Sequence, residues 1–382
     1  MFAQLPEHID ALRAAVRDFT DKELRPRVEA METAGAIDAD LIAKMGDLGY
    51  FGTPFEERFG GSAMGEIGFT IVQEELARGH ASTAVLVAAS SGLAARMVHA
   101  FGSDAQKDRF LAPMARGEGV GAFCLTEPGA GSDVPAMATT ARADGDDFVL
   151  NGQKAFITNG KLARYYVTFA KTDPEARGRG ISLFVLERGT PGLEVVRIED
   201  KLGMRASDTA LIAYDDARVS RDHLIGEENK GLAMALDTLN QSRVGIASLS
   251  LGMAKEATAL GWRYAHERAL FGGTLADQQV TQHALADMQI AVYAAESIIY
   301  RTALMSDAGQ NIEAESSVCK AFATEAAERA IDRALQIHGG VGYVRGSAIE
   351  RIYRDHRVQK IYEGANEVQR NNIYRVMRRI YG

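Results

Sequence analysis

Apolar residues recur at Ile9, Leu12, Val16 and Phe19, a spacing of three and four that places them on one face of a helix with Pro6 at its start. Helical periodicity persists to about Gly119, interrupted by glycine-rich breaks at Phe59-Gly60-Gly61 and near Gly102; Glu66 to Arg78 and Thr83 to Ala100 are two of the predicted helices. Between about Val120 and Asp222 the pattern changes. Asp147 to Leu150 and Ala155 to Thr158 flank Asn151-Gly152, whose tolerance of positive φ predicts a type I′ hairpin turn. Tyr165 to Ala170, Ser182 to Leu186, Leu193 to Ile198 and Ala210 to Tyr214 read as further strands, β-branched or aromatic and separated by turn residues. No helix alternates with them, which argues against a parallel dinucleotide-binding sheet. After Glu228-Asn229-Lys230-Gly231 the helical period returns in Leu232 to Glu267, Gln278 to Gly309 and Glu313 to His338, segments long enough for a bundle. The expected fold is therefore multidomain, α and β. It has an N-terminal helical domain (residues 1–119), a middle antiparallel β domain (120–228) and a C-terminal helical bundle (229–382).

Composition narrows the function classes. The 382 residues are 46 % hydrophobic and 25 % charged, ordinary for a globular protein, and the net charge of -8 argues against a general nucleic-acid binder. Arg370, Arg375, Arg378 and Arg379 are the one basic cluster, expected to be a solvated helix face or an intersubunit ion-pair set. Cys124 and Cys319 are too few for a disulfide framework and point to a reducing compartment. The first residues carry charge from Glu7 onward and do not form a signal peptide, so the expected location is cytoplasmic. Ser82 to Val98 is apolar but broken by serines, Gly92 and Arg96, which predicts a buried helix and no membrane span. The eight histidines form no ligand pattern, so no metal site is expected.

Two stretches carry candidate chemistry. The first, Ala122 to Gly160, contains the glycine-rich Glu127-Pro128-Gly129-Ala130-Gly131-Ser132-Asp133, which lacks the third glycine and strand-to-helix setting of a dinucleotide fingerprint. The second, Ala330 to Arg375, holds a helical run from Ala348 to Lys360 followed by Tyr362-Glu363-Gly364. A helix stopping at an acid and a glycine is expected to leave an exposed carboxylate beside free backbone N–H groups. In the helix before the β domain, Val87, Ser90 and Ser91 are small enough to line an acyl pocket, although core packing between helices is the favoured reading.

Together the two stretches resemble the signature regions of the acyl-CoA dehydrogenase family. L-T-E-P-G-A-G-S-D, N-G-x-K-x-x-I-T-N, Q-x-x-G-G-x-G-Y and Y-E-G-x-N-E-x-Q-R occur in that order, and the resemblance covers nearly the whole chain. It implies FAD contacts at Phe123, Leu125, Thr126, Gly131 and Ser132, with Ser132 also near the pantetheine arm of the substrate. Phe156, Ile157 and Thr158 would lie beside the flavin ring, Phe156 standing where the family commonly has Trp. Arg268, Phe271 and Gln279 match the family's R-x-x-F-G-x-x-[ILV]-x-x-x-Q pattern and, with Gln336, Gly339 and Gly340, would grip the FAD of a neighbouring subunit. Ala365 and Glu367 complete the cofactor set. Substrate contacts are expected from Asn240, Arg243, Tyr362, Gly364 and Arg375, with Asn240 where relatives commonly carry Asp.

The activity this implies is oxidation of an acyl-CoA to its 2-enoyl-CoA in fatty acid metabolism. Glu363 would be the catalytic base and flavin N5 the hydride acceptor. Some branches place the base beside the arginine of the preceding helix, but that position is Ser242 here. The expected partners are an electron-transferring flavoprotein and further copies of the chain in a homotetramer, with no nucleic acid or membrane. The alternatives are an enoyl-CoA reductase or oxidase on the same scaffold, or a flavin-bearing nucleic-acid-binding relative. Acyl chain length, branching and ring character are not legible.

Overall fold

The computed structural model describes residues 5–382. Its first block is helical, with α1 Glu7–Phe19, α2 Val28–Ala34, α3 Ala39–Asp47, α4 Gly65–Gly79, α5 Ala81–Val87, α6 Arg96–Phe101, α7 Asp104–Gln106 and α8 Ala112–Ala115. The apolar stripe predicted for α1 is the face it buries: Ile9, Val16 and Phe19 are enclosed and Leu12 packs beside them. A π-helical stretch, Ala88–Ala95, joins α5 to α6 and makes Ala81–Phe101 one helix. Its length and hydropathy would suit a membrane, yet 83 % of its most apolar window is buried inside the fold.

An eight-stranded sheet follows: β1 Gly121–Cys124, β2 Thr140–Asp144, β3 Asp147–Thr158, β4 Tyr165–Lys171, β5 Ile181–Glu187, β6 Leu193–Ile198, β7 Thr209–Ser220 and β8 Leu224–Ile225. The strands run in the order β6-β7-β3-β2-β4-β5-β8, with β1 beside β4. Most pairings are antiparallel, but β1 runs parallel to β4, as does the single β2 contact with it, so the sheet departs from the fully antiparallel expectation. The hairpin expected at Asn151-Gly152 is absent. β3 runs straight through both residues, and the turn instead lies at Gly145-Asp146, where Gly145 has φ +65°. Asn151-Gly152 faces a bulge, since its register against β7 slips between Leu150 and Gly152; the Asn151 carboxamide bonds both the backbone N–H and the carboxylate of Asp216. A second slip, between Lys154 and Ile157, restores the register and adds a residue on β3.

The last block comprises α9 Gly231–Glu267, the two-residue strands β9 Ala269–Leu270 and β10 Gly273–Thr274, α10 Gln279–Asp307, α11 Glu313–His338, α12 Gly340–Tyr343, α13 Ala348–His356 and α14 Asn366–Tyr381. It packs directly on the first helices. A Cβ on Gly252 of α9 would lie 2.1 Å from the Glu74 carbonyl oxygen of α4, so glycine alone allows this approach. Around that contact Tyr300 donates to Glu74 at 2.6 Å, while Lys255 bonds Glu74 and pairs with Glu296, tying α4, α9 and α10 through charges that few waters reach. One apolar cluster accordingly contains residues from Leu5 to Ile352. Three arginines of α14 find partners within the chain: Arg370 pairs with Glu325, and Arg375 and Arg379 with Glu313, both glutamates on α11.

Asp307, the last residue of α10, accepts from the Glu66 and Ile67 N–H groups and so caps the N-terminus of α4. Asp307→Ala is expected to cost about 1–2 kcal/mol, the worth of a helix N-cap. Urea unfolding should show a lower midpoint at an unchanged slope.

Candidate active site

Helix α13 ends at His356, earlier than its sequence suggests, and Arg357–Lys360 forms a 3-10 turn before the chain leaves through residues 361–365. Glu363 and Gly364 then adopt φ of +52° and +88°, consecutive left-handed residues of which the first is not a glycine. Two side chains hold this turn. Lys320 Nζ donates to the Gly364 carbonyl and to Asn366 Oδ1, each at 2.9 Å, and Gln369 Nε2 donates to the Gly364 carbonyl at 2.9 Å. A Cβ on Gly364 would lie 2.5 Å from that Gln369 nitrogen.

The turn aims the Glu363 carboxylate inward, which corrects the exposed acid expected from sequence. Glu363 as a whole is only partly covered, but its Oε2 is enclosed and lacks a hydrogen-bond partner. Burial pushes its pKa up to about 7, against the pull of the Ser242 hydroxyl and the charges of Lys320, Arg243 and Arg96. Burial likewise pushes the Lys320 ammonium down to about 8, with Glu363 opposing.

Around this acid the structure gathers part of the expected substrate set. Arg243 is buried, its Nη1 donating to Asn240 Oδ1 at 2.8 Å. Burial lowers the Arg243 pKa while the charge of Glu363 raises it, and Arg375 lowers it further. Tyr362 donates to Gln359 Oε1 at 2.8 Å, fixing the residue before the acid. Arg375 itself is exposed and bound to Glu313 and Asn372. Ser242 lies against the Glu363 carboxylate, so a base placed there would approach the same space from α9.

The glycine-rich loop lies beside the bulge of β3. Ala155 N–H donates to the Thr126 carbonyl at 2.8 Å, bringing Phe123, Leu125 and Thr126 next to Phe156 and Thr158. The extra residue of the bulge is accommodated by Phe156 at φ +57°, which turns its ring off the sheet to 66 % exposure. Ile157 differs from expectation: its side chain is buried in the core of the sheet, leaving only its backbone to face a ligand. Glu127 and Lys154, motif residues to which the sequence assigned no task, form a buried ion pair at 2.7 Å. Glu127 also accepts from the Ala138 and Thr139 N–H groups, and these contacts with Lys154 hold its carboxyl below the usual range despite burial. Asn159 donates to the carbonyls of Leu86 and Gly121, pinning the end of the motif between α5 and β1.

This surface fits FAD. Gly129 and Gly131 have ordinary φ and a Cβ on either would meet nothing within 4 Å, so their backbone demands no glycine. The space beside the loop is a cradle that side chains would fill, faced by an exposed aromatic ring and a partly exposed Thr158 hydroxyl residue. Next to Ser132, a groove of about 1430 Å³ is lined by Asp133, Lys171, Arg177, Arg179, Asn229 and Lys230, among others. Its basic residues were not singled out from the sequence, because Lys171, the arginines near 178 and Lys230 are scattered and converge only across the sheet-to-helix junction.

Arg268, Phe271, Gln279, Gln336, Gly339 and Gly340 stand apart and are exposed. Ser242 and Arg268 are separated by 26 positions along α9, roughly 39 Å at 1.5 Å per residue, beyond the reach of one dinucleotide lying beside Glu363. Gly339 closes α11 at φ +58° and ψ -140°, so its capping role is evident within one chain. Ala365 and Glu367 flank the start of α14, close to the Glu363 turn.

Three family models match successive parts of the chain: acyl-CoA dehydrogenase N-terminal domain over residues 6–118, middle domain over 122–217 and C-terminal domain over 229–378. The short-chain specific acyl-CoA dehydrogenase, mitochondrial, of Bos taurus is 41 % identical, over 96 % of this chain and 89 % of that one. A chain in the structure of the electron transferring flavoprotein of Acidaminococcus fermentans superposes with a TM-score of 0.97 at 38 % identity, covering 99 % of both. Butyryl-CoA dehydrogenase from Megasphaera elsdenii gives 0.96 at 36 % identity, covering 99 % of this chain and 100 % of that one. The chain therefore belongs to the acyl-CoA dehydrogenase family and is an FAD-dependent enzyme that oxidises acyl-CoA thioesters to 2-enoyl-CoA.

Proposed function

We propose that Glu363 is the general base of this dehydrogenation. The observation that carries the assignment is its enclosed, unpartnered Oε2, with burial holding the acid near the pH at which a base is both ionised and strong enough to act. A thioester α-hydrogen is too weakly acidic for a solvated carboxylate, so a donor to the thioester oxygen is needed. The Glu363 N–H forms no hydrogen bond among the described residues and is suited to that task. Each such preorganised donor contributes roughly 3–4 kcal/mol in other enzymes. Bound FAD supplies the acceptor, flavin N5, for the hydride leaving the β-carbon. Glu363 takes the α-proton, and the electron pair of that C–H bond becomes the new C=C bond.

The remaining assignments follow from placement. Phe123, Leu125, Thr126, Gly131, Ser132, Phe156 and Thr158 form one side of the FAD site, with the Ile157 backbone. Ala365 and Glu367 approach from the Glu363 turn. Lys171, Arg177, Arg179 and Lys230 suit the phosphates of CoA, while Ser132 stands between that groove and the flavin loop. Asn240, Arg243, Tyr362 and Gly364 position the thioester end, and Arg375 acts through its field on Arg243. Arg268, Phe271, Gln279, Gln336, Gly339 and Gly340 serve the FAD of another copy in a homotetramer. The 90 % exposure of Phe271 and 85 % exposure of Tyr343 support this, since large apolar side chains so bare are costly unless covered. An electron-transferring flavoprotein is the acceptor we favour, from the likeness to the Acidaminococcus fermentans structure. The bovine relative is described as mitochondrial, which weighs against the cytoplasmic expectation.

Glu363→Gln is expected to remain folded and yellow and to bind acyl-CoA, while substrate reduction of its flavin in stopped flow slows by roughly 10²–10⁴-fold. Adding Ser242→Glu should recover part of that loss; a Glu363→Gln variant that reduces flavin at the parent rate would assign the proton to another base. The parent's kcat/KM should rise with pH and level off above about 7, because the base must be ionised in the free enzyme. The same limb should vanish from the residual activity of Glu363→Gln. Arg268→Ala should release FAD on gel filtration with its helix content unchanged by circular dichroism, and full FAD retention by a monomer would contradict the shared site.

A further inference from the structure

Among the described residues two lysines are fully buried, Lys154 and Lys320, and the fold accommodates them differently. Lys154 has the Glu127 carboxylate at 2.7 Å. Lys320 has no carboxylate in contact: its ammonium donates to two neutral oxygens, the Gly364 carbonyl and Asn366 Oδ1, each at 2.9 Å. An enclosed ion of this kind is strongly destabilising unless an opposite charge stands close behind its hydrogen bonds.

Three acids act on Lys320: Glu363 on the turn, Glu367 on α14 and Glu325 on α11 itself. Glu325 is engaged by Arg370 and Asn366, and Glu367 is exposed to water. Glu363 is left, with its Oε2 enclosed and lacking a hydrogen-bond partner. The cations acting on Glu363 are Lys320 from α11, Arg243 from α9 and Arg96 from α6, with the Ser242 hydroxyl beside it. Arg96 already touches Glu66 at 2.6 Å, so Lys320 and Arg243 are the two of these cations without a carboxylate of their own in contact. Of the other groups near this part of α11, burial pushes His356 down to about 3 and keeps it neutral, and burial raises the Tyr362 phenol so that it too is uncharged. Lys360 pairs with Glu328.

The two oxygens that receive Lys320 are themselves fixed. Asn366 Nδ2 donates to Thr324 Oγ1 at 3.0 Å and to Glu325 Oε1 at 3.1 Å, which turns its Oδ1 toward Lys320. The Gly364 carbonyl accepts a second bond from Gln369 Nε2, so the turn keeps one tether when Lys320 is replaced. Donor and charge are separable at Lys320. Burial pushes the ammonium down to about 8, against the pull of Glu363, and the neutral amine formed above that pH still has two N–H groups for its two acceptors.

We propose that Lys320 is a positioning residue for the dehydrogenation: its N–H bonds fix the turn that aims Glu363, and its charge is the counter-ion that lets this carboxylate exist as an anion inside the fold. The inference rests on Glu363 as the base and concerns how that base is kept ionised. Enclosed without such a partner, the acid would hold its own proton and could not take one from the substrate.

The test measures kcat/KM against pH for the FAD-loaded enzyme and for Lys320→Met, which is of similar length but has neither donor nor charge. The acid limb should move up by about one pH unit, the lower end of what a neighbouring opposite charge produces. That shift costs about eightfold at pH 6.5 and little above pH 9, because the base is ionised there in both proteins. Lys320→Arg keeps the charge and should return the limb to the parent position. A Lys320→Met limb at the parent midpoint, with the same loss at every pH, would reduce Lys320 to packing and overturn the proposal. Linkage makes the effect reciprocal, which gives a second measurement that needs no Lys320 variant. In FAD-loaded enzyme with ¹³C-labelled lysine, one buried Cε signal should titrate at lower pH in Glu363→Gln than in the parent, and the absence of any such shift would also overturn the proposal. Were another group the base, Glu363→Gln would reduce flavin at the parent rate while the lysine signal still moved, so the two failures are told apart.

Discussion

Lys320 forms the contact on which the geometry of the Glu363 turn depends. Its buried ammonium donates to the Gly364 carbonyl and to Asn366, and these bonds help keep two consecutive residues in the left-handed region. A glutamate in that conformation costs of order 1–3 kcal/mol, and the surrounding packing must supply it. The return is orientation: the carboxylate points into the fold and the backbone N–H beside it remains available. Lys320 is also one of the charges that limit how far burial raises Glu363, so the group that shapes the turn also tunes the acid.

The turn belongs to a fold whose first and last helical blocks are joined directly. Close approach of α4 and α9 at Gly252, the Glu74–Lys255–Glu296 network and the Asp307 cap join the first helices to the last ones. The sheet is attached through Asn159, whose amide spans α5 and β1, and the buried Glu127–Lys154 pair stiffens the loop beside it. The glycine-rich loop and the Glu363 turn thus have fixed relations despite arising more than two hundred residues apart in the chain. The buried charges do not add much net stability, because their desolvation offsets most of their attraction. Their effect is to select one geometry.

Local pattern determined the three blocks, the long helices and several strands, because helical and strand periods differ and the segments are long. Ordered motifs, which need only residue identity and spacing, identified Glu363, the glycine-rich loop and the family. Asn151-Gly152 shows the limit: the dipeptide suits a hairpin in isolation, but pairing with β7 on both sides of it outweighed that local preference and set it opposite a bulge in β7. The direction of the Glu363 carboxylate was equally invisible, since it depends on Lys320 and Gln369 from other helices. Ile157 and Phe156 are neighbours with opposite fates because a single inserted residue shifted the register. The contact of Glu66 on α4 with Arg96 on α6 and the basic groove exist only once distant segments are placed side by side. Periodicity records which face of an element is apolar; which polar groups meet across that face is decided by the close packing of distant segments.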